Sequence, residues 1–166
     1  MAATVWAASA QAASVTVSMQ ETTASGVGKA IGLIVFTDTA RGLLIEPNLS
    51  GLTEGQHGFH VHEHPACGPA TKDGKTVPGL AAGGHYDPKK SGKHEGPDGM
   101  GHLGDLPVLY VNPDGTATRT GYAPHLTLAD MAGRSVMIHA GGDTYSDQPA
   151  PLGGGGARVA CGLVVY

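Results

Sequence analysis

Apolar and polar residues alternate along most of this chain. Val15, Val17 and Met19 alternate with Thr16, Ser18 and Gln20, the period-two pattern of a strand with one buried face. Residues 30–36 and 43–45 are further apolar runs, and residues 58–64 alternate around Val61. Residues 106–111 and 116–122 flank Asn112-Pro113-Asp114-Gly115, a turn signal that predicts a hairpin. Residues 135–139 and 159–166 supply two more strands. The pattern predicts about eight short strands. It predicts no long amphipathic helix, and residues 126–131 have room for one helical turn at most. Many short strands joined by glycine and proline turns point to an all-β chain, an antiparallel sandwich or barrel.

One stretch breaks this rhythm. Residues 65–105 show no strand pattern, yet they carry His85, His94, His102 and Asp105. A loop of that length inside a compact domain needs a reason, and a bound metal ion supplies one. Three imidazoles and one carboxylate make a closed four-ligand set, as a structural zinc requires. His60, His62 and the distant His139 are left over, all on predicted strands. His60 and His62 are two residues apart, so a strand points both rings the same way. Three or four imidazoles with an open position suit a redox copper. His57, His64 and His125 fit neither set and read as surface or hydrogen-bonding residues. His64 extends the period of His60 and His62, but Pro65 turns the chain away there.

Composition narrows the class. Charged residues are 14% of the 166, against about 25% in an average domain. Glycine at 27 and proline at 11 make the chain loop-rich, while the alternating runs argue against disorder. A formal charge of −4 and a pI near 6.1 exclude a nucleic-acid partner of the usual basic kind. No apolar run is long enough for a membrane-spanning helix. Residues 1–12 are small and apolar, and Ala10-Gln11-Ala12 resembles a signal cleavage site. The first Lys or Arg is Lys29, so the positive start of a signal is absent. The segment reads as the remnant of a secretory signal or as an N-terminal tag, with the domain proper over residues 13–166. Cys67 and Cys161 are far apart. Paired, they would close a long loop worth about 4–5 kcal/mol in the chain-entropy model; the other reading is two buried thiols. An exported chain favours the disulfide.

The motifs themselves carry a resemblance. Gly58-Phe59-His60-Val61-His62-Glu63, Gly84-His85-Tyr86-Asp87-Pro88, Lys93-His94-Glu95-Gly96-Pro97, Gly101-His102-Leu103-Gly104-Asp105-Leu106-Pro107 and the run from Gly153 to Gly162 resemble the copper–zinc superoxide dismutases of the exported bacterial branch. The likeness runs from about Ser14 to Tyr166. It implies an eight-stranded antiparallel Greek-key β-barrel or sandwich with long metal-binding loops, in a periplasmic or secreted protein, and a homodimer is the partner expectation. It implies copper on His60, His62, His85 and His139, and zinc on His85, His94, His102 and Asp105, with His85 shared. It further implies a Cys67–Cys161 disulfide, Arg158 as the active-site arginine, and Asp143 as a carboxylate joining a copper-side to a zinc-side histidine. The implied reaction converts superoxide anion to dioxygen and hydrogen peroxide, with Arg158 and His85 catalytic. Electrostatic focusing of the anion follows, for which these enzymes are a standard case. The segment from Asp143 to Ala157 holds no Lys or Arg, unlike the eukaryotic branch, which leaves Lys72, Lys75, Lys89, Lys90 and Lys93 as sources of positive field. The competing expectation is a catalytically silent copper- and zinc-binding module on the same fold. Losing a ligand or the arginine would produce one, and all are present here.

Overall fold

The structure, a computed structural model, describes residues 12–166. The signal-like stretch therefore lies almost wholly outside the described residues. The strands are β1 (Ser14–Thr23), β2 (Gly26–Thr39), β3 (Gly42–Leu49), β4 (Gly55–His57), β5 (Phe59–His62), β6 (Ala70–Lys72), β7 (Lys75–Val77), β8 (Leu109–Val111), β9 (Gly121–Ala123), β10 (Arg134–His139) and β11 (Arg158–Val164). Seven of them form one antiparallel sheet in the order β5-β10-β11-β1-β2-β3-β9. The last strand thus lies beside the first, and long connections bring β5 and β10 to its far side, the non-sequential order of a Greek key. A one-turn helix, α1 (Leu128–Met131), is capped reciprocally by Thr127 and Asp130, a capping box with Asp in the acidic position.

The expected all-β class holds, with two local corrections. The turn at Asn112–Gly115 exists: Asn112 N donates to Thr116 O at 2.8 Å. Its flanks do not form the predicted hairpin. β8 pairs with β4, and β9 pairs with β3. A local turn signal sets the chain reversal, but each flank pairs with a strand distant in sequence. The second correction lies in the long loop, where β6 and β7 make a small hairpin around Asp73 and Gly74, both at positive φ. Asp-Gly is a strong hairpin signal; three-residue arms are too short to show an alternating pattern.

The sheet positions the chemistry by alternation. On β5, Phe59 and Val61 enter the main core, while His60 and His62 face outward. On β10, Val136 and Ile138 point inward, and Met137 packs outward with Cys67, Ala82 and Cys161. Register sets Met137 opposite His60 and Ser135 opposite His62. The loop closes over this outer face. Val61 N donates to Gly104 O, Tyr86 N to Val61 O, and Leu106 N to Phe59 O. These bonds use the free edge of β5, so a strand edge that would attract other chains is covered. Consequently all four residues of β5 are buried, on both faces.

The Cys67–Cys161 disulfide pins the start of this loop to β11, across 94 residues of sequence. Beside it, β10 and β11 slip register between Ile138 and His139: Ile138 faces Ala160, but His139 faces Arg158. Val159 is the extra residue of a bulge. Such bulges re-aim side chains at functional sites, and this one sets Arg158 next to His139.

Candidate metal centre

Six imidazoles meet on the outer face of β5 and β10. His60 and His62 come from β5 and His139 from the end of β10. His85, His94 and His102 come from the loop, with Asp105 at its end. The rings are in mutual contact: those of His60 and His85 stack at 3.8 Å, and His85 lies 5.3 Å from both His94 and His102. His60, His62, His85 and His139 bring one ligand atom each to within 4.8 Å of one another, and so do His60, His85, His94 and Asp105.

The hydrogen bonds settle which nitrogens carry protons. His62 Nδ1 lies 3.0 Å from Gly83 O, and His139 Nδ1 lies 3.1 Å from Gly156 O. A carbonyl only accepts, so both Nδ1 atoms donate. In neutral rings both Nε2 atoms then carry lone pairs, and these two face each other at 3.4 Å. His60 Nε2 lies 2.7 Å from Asp143 Oδ2, which makes Nε2 the donor and leaves Nδ1 as a lone pair, buried and without a hydrogen-bond partner. Three lone pairs therefore converge with no proton between them. Such buried polar groups are costly unless something satisfies them, and a cation does.

The second half follows the same logic. His94 Nε2 donates to Asp143 Oδ1 at 2.6 Å. Its Nδ1 lies 2.8 Å from Asp105 Oδ2 without forming a hydrogen bond. His85 Nδ1 lies 2.9 Å from Asp105 Oδ1, a donor while it carries a proton and a lone pair once that proton is lost. His102 Nδ1 is buried, unpartnered, and 3.4 Å from the same oxygen. His102 thus stands at the rim of this group, slightly farther out than His60.

Charge divides the two halves. Burial lowers the His60 and His139 rings to about 3 and about 4, and pushes His62 and His85 down as well. Against burial, Asp105 and Asp143 raise His94 to about 9. The Asp105 carboxylate, 3.4 Å from its Nδ1, raises His102 as well. Burial opposes ionisation of both carboxylates, but the surrounding histidines hold each well below the usual range. One half is a neutral pocket of nitrogen donors; the other pairs two carboxylates with histidines that they hold toward the charged form.

Arg158 completes the opening of the site. It lines a cavity of about 230 Å³ with His62, His85, His139 and Leu152. Nη1 donates to Gly79 O at 2.7 Å and Nη2 to Gly83 O at 2.6 Å, so the guanidinium is fixed in place. The glycine-rich run before it passes very close to the cluster. A Cβ on Gly153, at φ 73°, would fall 2.1 Å from Asp143 Oδ1, which only glycine avoids.

All the sequence-predicted site residues come together here. His64 and His125 are exposed and outside the cluster. His57 has a larger part than its sequence suggests. It is buried, with Nδ1 2.6 Å from His139 O and Nε2 2.8 Å from Thr53 O. Asp147 also enters unannounced: its carboxylate accepts from His94 N at 2.9 Å and Leu152 N at 3.0 Å. Neither role leaves a periodic or spacing signal, because both act on backbone groups brought near by folding.

A Greek-key β-barrel whose outer wall presents converging imidazole lone pairs, with a carboxylate joining two halves, defines a metalloprotein with a two-metal centre. The family described as copper/zinc superoxide dismutase (SODC) matches residues 30–164, and this chain belongs to that family. A superoxide dismutase [Cu-Zn] of Brucella abortus is 55% identical over 154 residues, 92% of this chain and 89% of the relative. The solved Cu/Zn superoxide dismutase from Brucella abortus superposes with a TM-score of 0.90, covering 92% of this chain and 99% of that one. The superoxide dismutase [Cu-Zn] of Escherichia coli K12 is 53% identical over 163 residues, 98% of this chain and 94% of its own. The monomeric copper, zinc superoxide dismutase from Salmonella enterica, solved in solution, is 55% identical with a TM-score of 0.81, over 91% of this chain and 99% of that one.

Proposed function

We propose that His60, His62, His85 and His139 hold copper, that His85, His94, His102 and Asp105 hold zinc, and that Arg158 and His85 carry out the dismutation of superoxide with them. One superoxide gives up the electron that a second gains, and with two protons the products are dioxygen and hydrogen peroxide. Copper and zinc are the cofactors of this family; when bound, copper supplies the one-electron redox change and zinc a cationic centre without redox chemistry. The carrying observation is the 3.4 Å approach of His62 Nε2 to His139 Nε2, with His60 Nδ1 orphaned beside them.

The chain's own residues do the rest. Arg158 binds the small anion, since its guanidinium keeps its charge at ordinary pH and the Gly79 and Gly83 carbonyls fix its direction. His85 would hold a proton at Nε2 between the half-reactions and pass it to the second anion, while its Nδ1, 2.9 Å from Asp105 Oδ1, faces the zinc side. Asp143 holds the His60 and His94 rings from behind, as carboxylates next to metal-bound histidines do. His102 is preferred to His60 on the zinc side because His60 has only one free nitrogen, which the copper set uses.

Metal analysis with a superoxide-decay assay tests this reading. One copper and one zinc per chain with rapid decay are expected. A metal-loaded protein that leaves decay at its spontaneous rate would instead be the silent module.

We further infer that the protein is exported to the periplasm or secreted, with residues 1–12 as a signal remnant ahead of a domain over residues 13–166. The Cys67–Cys161 disulfide supports an oxidising compartment, and among the described residues no helix is long and apolar enough to cross a membrane. N-terminal sequencing of protein recovered from the periplasm tests it: a retained Met1 overturns the signal reading. A homodimer is the remaining partner expectation; sedimentation at the monomer mass alone would remove it.

A further inference from the structure

Leu152 stands at the mouth of the cavity lined by His62, His85, His139 and Arg158. Its side chain is 44% exposed, and its backbone sits at φ 55° and ψ 38°. That left-handed conformation is disfavoured for a leucine. A residue kept in it is over-determined by its surroundings, and such positions concentrate at ligand clamps and gates.

The surroundings are specific. Leu152 N donates to Asp147 Oδ1 at 3.0 Å, and Asp147 Oδ2 accepts from His94 N at 2.9 Å. One carboxylate therefore spans from the rim of the cavity to the backbone of a zinc-side histidine. Next to Leu152, Gly153 N donates to Ser146 O at 3.0 Å and Gly153 O accepts from Thr144 N at 3.1 Å. Gly153 itself is wedged against Asp143 and His94. Leu152 is thus fixed on both sides by groups that belong to the metal centre.

The chemistry of the rim is equally plain. Pro151 and Leu152 are the apolar side chains lining this cavity, and Arg158 is its only cation. The segment from Asp143 to Ala157 holds no Lys or Arg. This part of the rim can discriminate by size and desolvation, while Arg158 supplies the charge.

We propose that Leu152 is a size-selecting residue at the entrance to the copper site, and that Asp147 is a positioning residue that holds it there from the zinc-side loop. The entrance then admits two- and three-atom anions and excludes bulkier ones that would reach the copper and remove or reduce it. The proposal rests on the copper assignment made above.

Two probes of different size test it on the copper- and zinc-loaded protein. Azide is small and linear and reports by its absorption band with cupric ion. Diethyldithiocarbamate is a bulky anionic copper chelator and reports by the rate of copper extraction. Leu152→Ala is expected to speed extraction several-fold with azide affinity near that of the parent, and Leu152→Phe to slow it. Leu152→Gly, which suits the left-handed backbone, repeats the first result if Leu152→Ala folds poorly. Asp147→Ala is expected to speed extraction as well. Combining it with Leu152→Ala should add little, because both act through one side chain; a general loosening would add. Equal extraction rates in the parent, Leu152→Ala and Leu152→Phe, with the azide band intact, overturn the gate. A parallel change for azide and chelator overturns the size selection. Absence of copper and of any azide band from the parent protein overturns the copper assignment itself, and the gate with it.

Discussion

His57 Nδ1 lies 2.6 Å from the main-chain oxygen of His139, so a buried ring that is not one of the proposed ligands holds the backbone of one that is. Its other nitrogen meets Thr53 O, which ties the end of β10 to the turn before β4. A neutral ring donates from one nitrogen only, so replacing His57 by Ala removes one hydrogen bond shared out between these two carbonyls. That loss costs about 1–3 kcal/mol where water cannot substitute. Chemical denaturation of the metal-free His57→Ala protein should show a loss of that order. Copper affinity should fall as well, since His139 is no longer anchored. Unchanged stability would mean that water replaces the ring at both oxygens.

Asp143 holds His60 and His94 through its two oxygens, at 2.7 and 2.6 Å. Asp143→Ala should therefore weaken both metals together, by about 10–100-fold each, the usual effect of removing a carboxylate behind a ligating histidine. Competition with chelators of known strength measures the two affinities separately. Loss confined to one metal would show that the carboxylate serves only one half.

Arg158→Ala should slow turnover while copper content stays at one per chain. Arg158 is the cation of the cavity but lies outside the proposed ligand set. Parent-like turnover would remove Arg158 from the anion-binding role. The corresponding change on the zinc side, His94→Ala, should lose zinc and loosen the loop it anchors, seen as faster amide exchange; full zinc content would refute that ligand.

The metal-free protein should lose stability as pH falls below about 6.5. His60 and His139 titrate at about 3 and about 4 in the fold, against 6.5 in the unfolded chain, and His62 and His85 are lowered too. In the window between those values the unfolded chain binds protons that the folded one does not, so acid favours unfolding. His94 has the opposite sign. Raised to about 9, it is charged in both states well below 6.5, and its stabilising contribution is lost only as pH rises through 9. Denaturant midpoints between about pH 7 and pH 5 test the slope. A flat profile would mean that the four rings are hydrated in the metal-free fold.

Much of this protein is legible in its sequence, and the reason is local. Alternation in β1, β2 and β5 follows from the strand period, because a side chain two residues on returns to the same face. The pairing of His60 with His62 and the crowding of His85, His94, His102 and Asp105 into one unpatterned loop come from the same kind of evidence. The motifs around them carry the family.

Other features needed three dimensions. The register between β10 and β11, with Val159 as the bulged residue, sets Arg158 beside His139, and no spacing along the chain encodes a slip between two strands. The separate partners of β8 and β9 depend on which strand edges the folded core leaves free. His57 and Asp147 act on main-chain atoms of His139, Thr53, His94 and Leu152. Every residue has such atoms, so only proximity created by folding selects these. Which imidazole nitrogens remain as lone pairs was decided in the same way, by the carbonyl or carboxylate that the fold brought to the opposite side of each ring.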